Sequence, residues 1–209
     1  LYETPVSEGF RAVRDRTMLE ISFEPTTVLG LLGAVIFVRI CTAFPYYWLH
    51  RIQHEVLFWW RMHATHHHIT KMSFLRGDRT HPFEYLALAF GQLVVMAFIG
   101  ASDEMIAVSV VFGMFSGKFN HSNLPLKSLP VYDWIFATAP QHHVHHSLNR
   151  RQSDSNYGCY IILWDRIFGT YCGDESSDVK RVGAGKAVPL TIKEQIMLFF
   201  YPNKRLVDL

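Results

Sequence analysis

The sequence predicts an all-α integral membrane protein with a short transmembrane helical hairpin and a cytosol-facing, histidine-rich helical cap. Three observations predict this architecture. The 209 residues are 49% hydrophobic and only 18% charged, whereas about 25% charged residues is typical of a soluble domain. The eighteen residues of 85–102 carry no charge. All twelve histidines fall between His50 and His146, which indicates one site rather than scattered polar positions.

The composition excludes several classes of protein. The net charge is +2 without a long basic run, so no nucleic-acid partner is expected. Cys41, Cys159 and Cys172 form no close pair, which favours neither a disulfide framework nor a thiolate zinc site. Residues 1–24 form a polar N-terminal segment with too many charges for a signal peptide. Because the chain opens on Leu1 rather than Met, we expect its start to be missing.

Apolar stretches predict the membrane-embedded helices. The first runs over residues 25–49 and is interrupted by Arg39. Residues 85–102, if helical, span roughly 27 Å, close to the hydrocarbon core of a thin bilayer. Ser102 with two acids after it is typical of a helix start, and residues 105–117 supply a shorter second arm that ends at Lys118. Buried helices of a soluble protein are the alternative, since short apolar runs are ambiguous.

The hairpin bears on function because two consecutive crossings return the chain to its starting side. The histidines before the hairpin can therefore meet those that follow it. Beyond the hairpin region, residues 172–209 are predicted to form a loop (174–186) and a short amphipathic helix. Thr191 and Glu194 make a capping box for that helix. Its apolar face suits either an interfacial helix over a lipid entrance or simple packing.

Three histidine clusters have helical spacing. One is an HxxxH pair and two are HxxHH motifs, and residues three or four apart lie on the same helix face. A cluster of eight buried imidazoles without a metal would carry a large desolvation cost. The candidate ligands are His50, His54, His63, His66, His67, His142, His145 and His146, with His121 as a ninth.

The number of candidate ligands favours two metal ions. Structural zinc takes four ligands and catalytic zinc takes three with a water, so two metals with four or five histidines each fit better than one. Imidazole suits zinc, copper, iron and nickel, and ligand type alone does not choose among them. Acidic residues are expected to orient the ring N–H groups. The candidate acids are Asp133, Asp154, Asp165 and Glu55.

Three histidines stand apart from these motifs. His81 precedes Pro82 and stays open between a metal ligand and a supporting or helix-entry role. His68 and His143 lie beside motif positions but on other helical faces, where a surface or supporting role is favoured.

These motifs together resemble the fatty acid hydroxylase/sterol desaturase family of integral-membrane di-iron enzymes. The resemblance covers about residues 45–171 and includes the histidine motifs and the RTHP and FNHSNLP elements. NYG at residues 156–158 and WDRIFGT at residues 164–170 follow the last histidine motif as they do in that family. The resemblance implies a catalytic domain over residues 25–171, in which Asn156 and Asp165 are candidate supporting residues or ligands.

The resemblance also implies an activity and its cofactors. Two iron ions, for which zinc could substitute in a purified sample, would use O2 to hydroxylate or desaturate a lipid C–H bond. Electrons would come from NAD(P)H through cytochrome b5 or a ferredoxin. The histidine motifs would face the cytoplasm, at the endoplasmic reticulum in a eukaryote, at the inner membrane in a bacterium, or at an organelle membrane.

Two other classes of function remain as alternatives. One is a catalytically inactive, structural subunit of a membrane complex that keeps the fold. The other is metal transport, which calls for ionisable residues inside the spans, and residues 85–102 contain none. The apolar residues do not discriminate among sterols, fatty acyl chains, sphingolipids, carotenoids and alkylglycerols as substrates.

Overall fold

Helices gather around one long central helix. A computed structural model describes residues 25–124, 131–173, 179, 181–184 and 191–201, together with positions 8, 9 and 12. Within these ranges the regular structure is helical and no β-strand forms, as the sequence predicts. Most of the predicted segments 1–24 and 174–186 lie outside the described residues.

The helices are α1 (Val28–Glu55), α2 (Leu57–His67), α3 (Pro82–Phe98), α4 (Asp103–Asn120), α5 (Tyr132–Ile135), α6 (Ala139–His145), α7 (Arg150–Ser153), α8 (Leu163–Ile167) and α9 (Ile192–Met197), with 3-10 turns at Phe74–Arg76 and Leu198–Phe200.

Helix α1 continues through the charge that interrupts its apolar sequence. Arg39 is 2% exposed, and its guanidinium lies 3.7 Å from the centroid of the Tyr160 ring. Its Nη1 donates to the Gln92 side-chain oxygen at 3.3 Å and to the Ser109 carbonyl at 3.4 Å. A charge inside an apolar bundle is tolerated when it faces the interior and finds such partners, so the helix is not broken there.

The predicted hairpin forms as α3 and α4, and both arms pack on α1. The Ser102 hydroxyl accepts a hydrogen bond from the Met105 N–H at 3.4 Å, which confirms the predicted start of the second arm. That arm has 18 residues rather than the predicted thirteen. Lys118 lies in its last turn, where a cation interacts favourably with the C-terminal carbonyls and does not end the helix.

Apolar side chains cover much of the outer surface of these helices. Leu29 on α1 is 80% exposed, Phe90 on α3 is 68% exposed and Met114 on α4 is 59% exposed. Among the described helices, α1 alone is long and apolar enough to cross a membrane, while α3 is apolar but shorter. Extended apolar surfaces of this kind mark contact with a membrane or another protein.

The histidine-bearing segments collect at one end of the bundle because the two arms of the hairpin return the chain to the end from which it started. Helix α6 packs on α4 and α8 packs on α1, so the segments after the hairpin meet those before it. The predicted capping box is confirmed, because Thr191 and Glu194 exchange hydrogen bonds at the start of α9. The 3-10 turn after α9 packs on α2, where Arg61 donates to the Phe199 carbonyl at 3.0 Å.

Candidate metal centre

Nine histidines converge in two adjacent groups at this end of the bundle. All nine are buried, with no more than 8% of any residue exposed. In each group the candidate ligand atoms lie within 4.8 Å of one another. The five-histidine group consists of His50, His54, His63, His67 and His145, and the four-histidine group consists of His66, His121, His142 and His146.

Each HxxHH motif is divided between the two groups. In α2, His63 and His67 belong to the five-histidine group, while His66 turns to the other group. At α6 the arrangement is reversed, since His142 and His146 belong to the four-histidine group and His145 crosses over. The i, i+4 pairs share a face, and the ring at i+3 points to the neighbouring site. The two groups adjoin, because a distance of 4.5 Å separates the ring centroids of His67 and His146.

The Nε2 atoms of these rings point toward one another. The distance between the Nε2 atoms of His50 and His63 is 2.9 Å, and that between His67 and His145 is 3.1 Å. In the other group the Nε2 atom of His121 lies 3.1 Å from that of His66 and 3.0 Å from that of His142.

The opposite ring nitrogen, Nδ1, is held by main-chain carbonyls at four of these histidines. His50 Nδ1 lies 2.5 Å from the Tyr157 oxygen, and His145 Nδ1 lies 2.7 Å from the Ser155 oxygen. His66 Nδ1 lies 3.1 Å from the Arg79 oxygen, and His121 Nδ1 lies 2.7 Å from the Gly117 oxygen. A carbonyl only accepts hydrogen bonds, so each of these Nδ1 atoms carries the proton.

This tautomer fits a bound metal. When Nδ1 carries the proton of a neutral imidazole, Nε2 is left with a lone pair. His66 and His121 therefore bring two lone pairs to 3.1 Å, an arrangement that a cation between them would make favourable. The His54 Nε2 atom is buried in the five-histidine group without a hydrogen-bond partner. Both groups thus have the donor chemistry of metal sites.

The imidazoles are neutral in this setting. Burial lowers the pKa of His66 to about 3, and it also lowers the pKa values of His67, His142 and His146 well below the usual range, with neighbouring imidazoles acting in the same sense. Neutral imidazole is the form that binds metal. These four rings are therefore in the form that could bind a metal ion near neutral pH.

A buried carboxyl group that the sequence analysis did not select contacts the five-histidine group. Glu84, in the first turn of α3, places an oxygen 2.6 Å from His63 Nδ1, and both side chains are 2% exposed. The signal in the sequence was its position as the last charge before the uncharged run 85–102. A charge at the head of so apolar a helix is costly unless a partner compensates it.

Of the four acids expected to orient the rings, Asp154 alone contacts a ring in the described residues, so the prediction is wrong for Glu55 and Asp133. Asp154 lies 3.4 Å from His54 Nδ1 and also accepts from Arg150. Glu55 pairs instead with Arg51 at 2.7 Å. The main-chain oxygen of Asp133 accepts hydrogen bonds from the side chains of Gln141 and Arg166.

Asp165 acts on the site through the backbone. Its carboxylate accepts hydrogen bonds at 2.7 Å from the N–H groups of Tyr157 and Gly158 and from the Thr170 hydroxyl. Burial raises the pKa of Asp165 to about 6, while these donors act in the opposite sense. Three donors at one carboxyl group favour its ionised form, and the group holds the turn whose Tyr157 carbonyl accepts from His50.

Asn156 supports the same turn. Its side-chain nitrogen donates to the carbonyls of Gln141 and Cys172, and its side-chain oxygen accepts from the Cys172 N–H at 2.9 Å. Its φ of 51° lies in the left-handed region, which asparagine tolerates better than most residues. Asp165 lies outside the two histidine groups, and both polar atoms of the Asn156 side chain are bonded to the main chain.

Substituting Asp165 with Asn is expected to destabilise the fold by about 2–3 kcal/mol, because an amide N–H₂ would face groups that are themselves donors. Chemical or thermal denaturation followed by circular dichroism would measure the change. Asp133→Asn is the matched control, since the main-chain oxygen that makes its hydrogen bonds remains. Equal stability of the two variants would contradict the role assigned to Asp165.

The three remaining histidines lie outside both groups. His81 caps α3, where its Nδ1 accepts from the Phe83 N–H at 3.2 Å, and its Nε2 lies 3.3 Å from the Ile196 oxygen. His143 contacts the Ser122 oxygen at 2.9 Å. His68 is buried rather than on the surface, at 4% exposure.

A pocket of about 240 Å³ opens beside α4. Phe115 and Phe119, which line it, are also about half exposed on the apolar surface of that helix. Asn120, a buried residue of the lining, immediately precedes His121 of the four-histidine group in the chain. The other lining residues are Phe112, Ser116, Tyr132, Ala137 and Tyr160.

An apolar helical bundle with nine buried imidazoles at one end is an architecture that suits a membrane protein with a metal-binding site. Residues 35–170 match the family model described as fatty acid hydroxylase. The chain belongs to the fatty acid hydroxylase family, as its motifs had indicated.

Relatives of the chain include named lipid-modifying enzymes. The chain is 31% identical to an ornithine lipid hydroxylase of Rhizobium tropici over 70% of its own length and 43% of the relative's. It is 30% identical to the human alkylglycerol monooxygenase over 76% of its own length and 34% of that protein. A methylsterol monooxygenase of Arabidopsis thaliana is 28% identical over 77% and 59% of the two lengths. The chain thus spans about a third to three fifths of these relatives. No solved structure matches it.

Proposed function

We propose that this protein is a membrane oxidoreductase that uses O2, electrons and two iron ions to hydroxylate or desaturate a C–H bond of a lipid. The observation that carries the proposal is the pair of adjoining histidine groups, five and four, whose lone pairs face inward. The relatives named as hydroxylases and monooxygenases support the same reaction class.

Iron is proposed because the reaction class needs a redox-active metal. Zinc has no redox chemistry, and imidazole is a suitable ligand for iron. When bound, two iron ions would supply the activation of O2 that attack on an unactivated C–H bond requires. The nine histidines of the two groups would hold them. The carbonyls of Tyr157, Ser155, Arg79 and Gly117 keep four of the rings in the metal-binding tautomer.

The lipid substrate is proposed to approach through the pocket beside α4. Aromatic rings dominate its lining, and Phe115 and Phe119 connect it to the apolar outer surface of the bundle. An apolar chain could therefore enter from a bilayer without crossing water. Asn120 lines the pocket and His121 follows it in the chain, so the bound segment is proposed to lie near the four-histidine group.

The exposed apolar surface of α1, α3 and α4 supports placement in a membrane. We propose that the histidine-rich end faces the cytoplasm, where NAD(P)H and an electron-transfer protein such as cytochrome b5 or a ferredoxin could supply electrons.

Metal analysis and lipid profiling together test this function. Protein purified without O2 is expected to contain about two iron ions per chain, and cells that express it should contain a lipid hydroxylated or desaturated relative to cells that lack it. Reconstitution with iron, O2 and a reducing system should reproduce the product. Absence of bound iron and of any O2-dependent product after reconstitution would rule out the enzyme and leave the structural-subunit alternative.

A further inference from the structure

The two histidine groups differ in the chemical groups that contact their Nδ1 atoms. In the five-histidine group, the His63 Nδ1 atom contacts the carboxyl group of Glu84 at 2.6 Å. In the four-histidine group, the His66 and His121 Nδ1 atoms contact main-chain carbonyls, and those of His142 and His146 have no hydrogen-bond partner. Among the described residues, a buried carboxyl group therefore contacts a ring of the five-histidine group, and none contacts a ring of the four-histidine group.

Glu84 faces the five-histidine group rather than solvent. The residue is 2% exposed, and its second carboxylate oxygen has no hydrogen-bond partner. Asp154, the other carboxylate near the five-histidine group, is partly exposed, is shared with Arg150 and lies farther from its histidine, at 3.4 Å. A buried carboxylate is costly unless positive charge lies nearby. A metal ion bound at His63 would supply that charge.

A carboxylate that accepts the outer N–H of a metal-binding histidine has two effects. It fixes the tautomer that presents the lone pair, and it makes the imidazole a stronger donor. In a buried site its negative charge also offsets part of the charge of the metal. Neutral carbonyls, which serve the four-histidine group, fix the tautomer without supplying a full charge.

We propose that Glu84 is a positioning residue that makes the two metal sites unequal, so that the five-histidine group binds its metal more tightly and fills first. This inference rests on the proposed function, since it takes both groups to be metal sites. The tighter binding at the five-histidine group is attributed to the Glu84 side chain and not to the fifth histidine.

Titration of metal-free protein with Co²⁺ in detergent, against a competing chelator, would test the assignment. The unsubstituted protein is expected to bind two ions in a tighter and a weaker phase. Glu84→Gln keeps the side-chain size and an acceptor oxygen but removes the charge. It should weaken the tighter phase by about 10–100-fold and leave the weaker phase unchanged.

Glu55→Gln is the matched control, because Glu55 adjoins His54 in sequence yet pairs with Arg51. It should leave both phases unchanged. Glu84→Asp keeps a carboxyl group on a shorter side chain and should bind the first ion with intermediate affinity. It is the second variant to use if Glu84→Gln fails to fold. Loss of the tighter phase in His145→Ala would identify it with the five-histidine group.

The outcomes separate this inference from the proposed metal centre. If Glu84→Gln binds the first ion as tightly as the unsubstituted protein, or weakens both phases equally, the role assigned to Glu84 is wrong while the metal centre stands. If the unsubstituted protein binds no Co²⁺ in either phase, the metal centre itself is wrong.

Discussion

Replacing His145 with alanine is expected to reduce the metal content from about two ions to about one per chain and to lower turnover by more than about 100-fold. Loss of a residue that hydrogen-bonds a metal ligand typically costs about 10–100-fold, and loss of the ligand itself should cost more. His145 belongs to the five-histidine group. Its removal also leaves the Ser155 carbonyl without the ring N–H that it accepts.

His146→Ala is expected to remove the other ion. The two residues are neighbours in the chain, yet the structure assigns them to different groups. Each single variant should therefore retain about one metal ion, and the double variant should retain none. Metal analysis by mass spectrometry and turnover with O2 and a reductant would measure both effects.

His143→Ala is the matched control for this pair. It removes an imidazole from the same helix, but one whose Nε2 contacts the Ser122 carbonyl and which lies outside both groups. Full metal content and turnover are expected to remain. The partition into two groups would be refuted if His145→Ala and His146→Ala each lost both ions, or if His143→Ala lost as much metal as they did.

Gly158→Ala is expected to destabilise the fold by about 3 kcal/mol, toward the upper end of the cost of overpacking. A β-carbon at this position would lie 2.1 Å from the Ile161 carbonyl oxygen and 2.9 Å from an Asp165 carboxylate oxygen. The Ile161 backbone cannot easily move, because the neighbouring Ile162 N–H donates to the Ile135 carbonyl. The strain would displace Tyr157, whose carbonyl holds His50.

The metal content of Gly158→Ala should fall with its stability, because the five-histidine group loses the support of its His50 ring. Thermal unfolding in detergent, followed by circular dichroism and accompanied by metal analysis, would measure both. Gly33→Ala in α1 is the matched control, since a β-carbon there meets nothing within 4 Å. It should be neutral or stabilising by up to about 1 kcal/mol. Unchanged stability in Gly158→Ala would contradict the close packing of this turn.

Local spacing was sufficient to predict much of the helical framework. The Ser102 helix start and the Thr191–Glu194 capping box depend on residues three positions apart, and both form as predicted. Arg39 shows the limit of this reasoning. Its partners Gln92, Ser109 and Tyr160 lie between 53 and 121 positions away in the chain, and only their packing makes a continuous helix compatible with a buried charge.

The sequence by itself determined which histidines are candidates and that they suit two metals, because helical spacing sets which side chains share a face. Only the tertiary structure decided how they divide. Whether His66 joins His63 or His142 depends on the rotation of α2 against α6, and no local pattern encodes that angle. The pairing of Glu84 with His63 was decided in the same way, because it joins residues 21 positions apart on two different helices.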